Sequence, residues 1–141
     1  MMLKPLAALA CLAALATPAL ADGDGDAAKG EADFKKCRAC HAIVGADGTE
    51  IQKGGKVGPN LFGVVGRTVG SLEDFKYGES IVAVGAAGTV WDQENLEDYL
   101  KDPTAWLKEV TGDSGAKSKM TFKLGKGGED MAAYLASLSP E

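Results

Sequence analysis

Apolar residues recur with helical spacing at both ends of the chain. In residues 26–37, apolar or small side chains fall three to four positions apart, which places them on one face of a helix that Asp24 or Asp26 would cap. Residues 129–138 repeat this spacing through Met131 and Tyr134, with acidic residues in the first turn. The pattern therefore predicts a first and a last helix, each with one apolar face.

Two more helices are predicted in the middle of the chain. Asp92 can cap a helix that ends near Asp102, because Pro103 disfavours helical geometry in the residue before it. Pro103 then suits the first turn of the next helix. The apolar positions of the two helices are Leu96, Tyr99 and Leu100, and then Ala105, Trp106, Leu107 and Val110.

Long glycine-rich segments separate these helices. Residues 45–70 contain eight glycines and Pro59 without a sustained apolar period, and residues 112–119 are polar with glycine near both ends. A loop as long as the first is uncommon unless it serves a ligand or a function. We therefore expect a small all-α domain whose loops wrap around a bound group.

The first residues have the pattern of an export signal. Lys4 supplies the positive charge, residues 6–16 form an apolar run, and residues 19–21 form a small-residue cleavage site. We expect residues 1–21 to be removed in the periplasm, which leaves a single domain over residues 22–141. A membrane anchor would need about 20 apolar residues, and Pro18 breaks the apolar stretch just after this run. Lipoprotein processing at Cys11 would leave an apolar run shorter than the roughly 7–15 residues expected.

The charge of the processed chain disfavours nucleic acid as a partner. The full sequence has 15 basic and 20 acidic residues and a net charge of −5. Removal of Lys4 with the signal takes the polypeptide to about −6.

One short motif carries specific chemistry. Cys37-Arg38-Ala39-Cys40-His41 places two thiols one helical turn apart, followed by an imidazole. This spacing is typical of covalent haem attachment, in which the thiols add to two vinyl groups and the histidine binds iron. A thioredoxin-like redox pair would need a strand–helix–strand context, and zinc would need four ligands. The flanking sequence offers neither.

The second axial ligand of such an iron cannot be histidine, because His41 is the only histidine in the sequence. Met120 and Met131 are the methionines that remain after processing. Met131 falls on the apolar face of the last helix, where methionine usually fills the core, whereas Met120 lies in a loop. We therefore predict His41/Met120 ligation, which raises the reduction potential of the iron.

With these residues identified, the sequence resembles the class I c-type cytochromes, most closely the larger, cytochrome c-550-like subtype of the bacterial cytochrome c2 family. The resemblance covers nearly all of the processed chain. It implies the small cytochrome c fold, with four or five helices and long loops around one covalently bound haem c. The matching segments beyond the haem motif are residues 58–61, 66–67, 75–77, 91, 99–100, 102–103 and 118–122.

The resemblance also implies roles for individual residues around the haem. Pro59 would accept a hydrogen bond from the His41 ring. Three donors, Arg67, Tyr77 and Trp91, would hold the haem propionates. Tyr99 would lie in the haem pocket near the methionine sulfur, Phe122 would lie at the edge of the haem crevice, and Gly30 and Phe34 would pack against Tyr134.

The sequence departs from the shortest members of the family in three places. Extra residues occur between His41 and Pro59, before Trp91, and between Lys108 and Lys117. The last insertion leaves the shape of the Met120 loop open.

The function implied by the resemblance is electron transfer without substrate turnover. The partners would be a bc1-type donor and a terminal oxidase or photosynthetic reaction centre as acceptor, and the processed protein would be a monomer without a membrane segment. A basic run around Met120 predicts a surface for acidic partners, formed by Lys117, Lys119, Lys123 and Lys126. A haem enzyme, or a gas-binding protein that loses Met120 from the iron, is the alternative. An enzyme would usually need an acid–base group beside the iron, and no second histidine can serve.

Overall fold

The main regular elements in the part of the chain that the structure describes are five α-helices and one short hairpin, joined by long loops. The computed structural model describes residues 25–140, so the expected export signal and its cleavage site before Asp22 lie outside the described residues. The helices are α1 (Ala27–Asp33), α2 (Glu79–Ala86), α3 (Gln93–Lys101), α4 (Pro103–Thr111) and α5 (Gly128–Ser137), and the hairpin pairs β1 (Ile43–Val44) with β2 (Glu50–Gln52). The longest of these helices has ten residues, and within residues 25–140 none is long and apolar enough to cross a membrane.

The first and last helices cross in close contact. Asp26 caps α1 with its carboxylate, and its own amide donates to the Asp130 carboxylate over 2.7 Å. Gly30 of α1 packs directly against α5. A Cβ added at Gly30 would be 2.6 Å from the Cβ of Tyr134 and closer still to the Asp130 carbonyl oxygen. The Phe34 and Tyr134 rings meet edge to face at 6.2 Å. The structure thus places Gly30 and Phe34 against Tyr134, as the sequence predicts.

Asp102 marks the boundary between α3 and α4. Its carboxylate accepts from the Ala105 amide at 3.0 Å, and Pro103 occupies the first position of α4. Ala105 and Val110, two of the predicted apolar positions of this helix, do not join the core, because both are exposed, Val110 to 44%. Trp106 and Leu107 are buried as predicted, so the apolar face of α4 is narrower than its sequence suggests.

Two elements lie where the sequence predicts no regular structure. β2 falls inside the glycine-rich segment, and α2 follows it. Only Val84 of α2 is buried, so the helix carries almost no apolar periodicity that could reveal it. Gly85 is required in α2 because a Cβ there would overlap the carbonyl oxygen of Val69.

We predict that Gly30→Ala destabilises the protein by about 1–3 kcal/mol or more, because the added methyl group forces α1 and α5 apart. Gly125→Ala is the matched control, since a Cβ at Gly125 meets no atom within 4 Å and its φ is not positive. That change is expected to be neutral or stabilising by up to about 1 kcal/mol. Denaturant unfolding of both variants measures the difference, and equal stabilities would contradict the close helix contact.

Candidate cofactor site

One cavity of about 640 Å³ collects every site residue that the sequence predicts. This volume lies within the roughly 300–1,000 Å³ common for ligand pockets. The ten predicted residues on its walls are Cys37, Cys40, His41, Pro59, Arg67, Tyr77, Trp91, Tyr99, Met120 and Phe122. Aliphatic side chains that were not predicted as site residues complete the walls, among them Leu61, Val64, Ile81, Leu96, Leu107 and Leu135.

The two thiols stand at the end of a tight turn. A 3₁₀ turn (Phe34–Lys36) extends α1, and the amides of Cys40 and His41 then donate to the Cys37 carbonyl at 3.1 and 2.9 Å. The two cysteines are not joined in a disulfide, and Cys37 is half-buried whereas Cys40 is exposed. Burial raises the pKa of the Cys37 thiol, although Lys36 opposes the shift. The turn therefore brings both sulfur atoms to the same cavity wall.

The His41 ring is fixed by one backbone carbonyl. Its Nδ1 donates to the Pro59 oxygen over 2.8 Å, and the side chain is nearly buried. Burial lowers the pKa of His41, and the bond to Pro59 partly opposes this shift. A neutral ring with its proton on Nδ1 keeps the lone pair of Nε2 available as a metal ligand.

The segment that carries Pro59 lies directly on the haem motif. The amides of Gly55 and Gly58 donate to the carbonyls of Arg38 and Cys40, both over 2.8 Å. A Cβ at Gly58 would come within 2.6 Å of His41 Nδ1. Glycine is therefore required there because the backbone touches the imidazole.

Met120 lies in a segment without regular secondary structure, and its backbone is held by a serine. The Met120 amide donates to Ser118 Oγ over 3.1 Å, and the Ser118 amide donates to Thr104 Oγ1 over 3.3 Å. The Tyr99 hydroxyl lies 3.4 Å from Ser118 Oγ, and burial raises the pKa of Tyr99. Sequence reasoning missed Ser118 and Thr104 as anchors of this loop.

Met131 also reaches the cavity wall. Its side chain is 1% exposed within the core cluster of α5, whereas Met120 is only half-buried. The cavity lining alone does not separate the two sulfur atoms. Their settings differ, since one is part of a packed helix and the other belongs to a loop.

Arg67 is a half-buried cation that no carboxylate among the described residues contacts, although the charge of Asp74 acts to raise its pKa. Its guanidinium donates to the Asn60 carbonyl at 3.2 and 3.3 Å and to the Phe62 carbonyl at 3.5 Å. Among the described residues, it forms no ion pair within 4 Å. Burial lowers the pKa of Arg67, and Tyr77 opposes that shift. A ligand carboxylate near Arg67 would supply the missing charge.

Three aromatic rings pack together at one wall of the cavity. Trp91 and Tyr99 line the wall, and Trp106 lies behind them. Trp91 stacks on Trp106 at 5.2 Å, and Tyr99 meets the two indoles edge to face at 5.1 and 5.5 Å. Trp106 does not line the cavity itself, so it supports the two rings that do. The sequence predicted Trp106 as a core residue but gave no sign of this stacking.

These features together fit a c-type haem. Two thiols, a neutral imidazole and thioether sulfur border an apolar cavity of suitable size, and an unpaired cation with aromatic donors is available for propionates.

The exposed cations around the cavity differ from the set read from the sequence. Lys117 and Lys119 line the cavity, and Lys119 Nζ donates to the Lys76 carbonyl over 3.1 Å. Lys123 instead pairs with Asp102 at 2.6 Å, so this carboxylate partly neutralises the charge of Lys123. Two further cations line the cavity that the basic run around Met120 does not include, namely Lys36 and Lys76.

Comparison with known proteins gives close relatives. The chain is 60% identical over 124 residues to cytochrome c2 of Rhodobacter capsulatus, covering 88% of each chain, and 55% identical over 129 residues to cytochrome c-550 of Paracoccus denitrificans, covering 90% and 83%. The chain belongs to the cytochrome c2 family. No protein-family model matches the sequence.

Solved structures in this family share the fold. The crystal structure of Rhodobacter capsulatus cytochrome c2 superposes with a TM-score of 0.79 at 62% identity, covering 80% of this chain and 97% of that one. Ferric cytochrome c-550 from Paracoccus versutus gives 0.79 at 57% identity, covering 82% and 99%. Proteins of the cytochrome c2 family carry one covalent haem c per chain and are electron-transfer proteins rather than enzymes. The expected class I cytochrome c fold and cofactor are confirmed.

We predict that the ion pair between Asp102 and Lys123 stabilises the folded protein only while the Asp102 carboxylate is ionised. The Lys123 ammonium, followed by the Ala105 amide, lowers the pKa of Asp102. Its contribution is therefore complete above the ordinary aspartate pKa of about 4 and is lost as pH falls through the lower pKa of the folded state. Melting temperatures should show Asp102→Asn less stable than wild type at pH 7, with the difference shrinking in acid.

Asparagine suits this test because it can still cap α4. Asp113→Asn is the control, since Asp113 pairs with no cation within 4 Å among the described residues. A constant difference between wild type and Asp102→Asn from neutral to acid pH would contradict the ion pair.

Proposed function

We propose that this cytochrome is a periplasmic electron carrier in which His41 and Met120 bind the iron of the haem. One observation carries the proposal: the two thiols, the only histidine of the chain and a loop methionine border a single cavity. The export signal expected over residues 1–21 would deliver residues 22–141 to the periplasm, where thioether formation at Cys37 and Cys40 takes place.

The haem would supply a one-electron iron couple, and the chain supplies its environment. Cys37 and Cys40 fix the group covalently, and His41 presents Nε2 because Pro59 holds the other ring nitrogen. The apolar walls exclude water, and this lowers the solvent reorganisation that would accompany each change in the charge of the iron. The same walls favour the less charged ferrous state.

Met120 is the better candidate for the second ligand because its segment is free of helix geometry. The bond from the Met120 amide to Ser118 Oγ holds the loop at the cavity without engaging the sulfur. Met131, in contrast, would have to leave the packed face of α5, where it is 1% exposed. The different settings of the two methionines therefore support His41 and Met120 as the ligand pair, as the sequence predicts.

The other predicted residues would hold the edges of the haem. Arg67, Tyr77 and Trp91 are placed to donate to propionates, and the unpaired half-buried Arg67 is the most specific of the three. Tyr99 lies beside the Met120 loop through Ser118. Phe122 is 42% exposed at the cavity and would shield the haem edge from water.

The surface around the cavity suits short-lived docking to acidic partners. Exposed cations flank the opening, while Val57, 76% exposed, and Phe122 add apolar area. Long-range attraction speeds encounter, and a small apolar patch permits fast release. We therefore propose a monomer that docks on a bc1-type donor and on an oxidase or reaction centre through Lys117, Lys119, Lys123 and Lys126.

We predict that the oxidised protein shows the weak sulfur-to-iron charge-transfer band at the red end of the visible spectrum. Met120→Ala should abolish this band because it removes the thioether ligand. Met131→Ala is the matched control, since it removes a methionine that lines the same cavity. The control should keep the band despite a loss of about 2–5 kcal/mol of stability. Loss of the band in the control alone would contradict Met120 ligation.

We also predict that electron transfer to a purified oxidase slows as ionic strength rises, because salt screens the attraction between the two surfaces. Lys117→Gln should slow the reaction at low ionic strength more than Lys108→Gln does. Both variants lose one positive charge from an exposed site, but only Lys117 lines the cavity. Equal rates for the two variants would contradict docking at the cavity mouth.

A further inference from the structure

The residues inserted between His41 and Pro59 form the hairpin, and its last residue makes two buried contacts. Gln52 is 7% exposed. Its side-chain oxygen accepts from Arg38 Nη2 over 2.8 Å, and its side-chain nitrogen donates to the Tyr134 hydroxyl over 3.1 Å. One amide therefore connects the haem motif to α5.

Arg38 is held at both its backbone and its side chain. It stands between the two attachment cysteines, and its carbonyl accepts from the Gly55 amide over 2.8 Å. The residue as a whole remains exposed. A long cationic side chain ordinarily samples many rotamers and loses them on docking. Gln52 removes much of that freedom before a partner arrives.

Gln52 holds this cation without neutralising it. Lys36 pairs with Asp33 at 3.3 Å and Lys123 pairs with Asp102 at 2.6 Å, so nearby carboxylates offset both charges. Arg38 forms no ion pair within 4 Å among residues 25–140. An amide oxygen accepts the hydrogen bond, yet carries no net charge.

We propose that Gln52 is a positioning residue, a neutral tether that fixes the fully charged Arg38 guanidinium beside the haem-attachment cysteines as part of the docking surface for an acidic partner. This inference rests on the proposed carrier function. It adds a cation from within the attachment motif itself to the Met120 lysines, and it assigns a use to the inserted hairpin.

The test uses the ferrous holoprotein and hexacyanoferrate(III) as an anionic oxidant that accepts one electron from the haem iron. Gln52→Glu keeps an acceptor for Arg38 but cancels its charge, and Arg38→Gln removes the charge. Both variants should react about two- to fivefold more slowly than wild type at low ionic strength, and the difference should vanish in high salt. Gln93→Glu is the matched control, because it makes the same substitution and the same change of net charge at the start of α3, which does not carry the attachment motif.

A second readout follows the tether itself. The guanidinium ¹⁵N signals of Arg38 should be resolved in wild type and in Gln52→Glu, where rotation is hindered, and should merge in Gln52→Leu. Merged signals in wild type, or a Gln52→Glu rate no slower than that of Gln93→Glu, would overturn the role of Gln52. A wild-type rate that does not depend on ionic strength would instead contradict the proposed docking function, whatever the Arg38 signals show.

Discussion

The hydrogen bond from His41 to the Pro59 carbonyl is the contact on which most of this structure depends. It fixes the orientation of the only histidine, and it requires the chain to return across the haem motif eighteen residues later. That return brings backbone against backbone, so Gly55 and Gly58 donate to carbonyls of the motif. A side chain at Gly58 would displace the ring from its partner. Three of the eight glycines in the first loop, Gly54, Gly55 and Gly58, are explained by this close return to the motif.

The cavity beside this bond explains why the helices alone do not make the domain. The buried residues of α3, α4 and α5 surround a space that a closely packed core would not leave open. Unfilled apolar volume of this size is costly, so the cofactor must act as part of the core. Binding energy for the haem is then also folding energy, and loops that contact it gain order from it. The crossing of α1 and α5 through Gly30 stabilises the domain away from the cavity.

The sequence predicts four of the five helices and the chemistry better than it predicts α2 and the hairpin. Local sequence signals predict α1, α3 and α4: the capping residues Asp26, Asp92 and Asp102, and Pro103. The haem motif is recognised from its short spacing, and the other site residues are predicted from the resemblance to the family. All ten predicted residues line the cavity. In contrast, α2 buries only Val84, and β2 is three residues long, so neither leaves a periodic pattern. Pairings such as Arg38 with Gln52 and Lys123 with Asp102 depend on tertiary proximity, which no spacing reveals.

In the proposed function, His41 and Met120 would both bind the iron in this cavity, so that the molecule transfers electrons and binds no small ligand. Mixing the ferrous protein with carbon monoxide at neutral pH, and following the visible spectrum, tests this most directly. A spectrum that stays unchanged for minutes after mixing is the predicted result. Rapid formation of the carbon monoxide complex would show an open or easily vacated iron position, and would contradict the carrier account in favour of a gas-binding one.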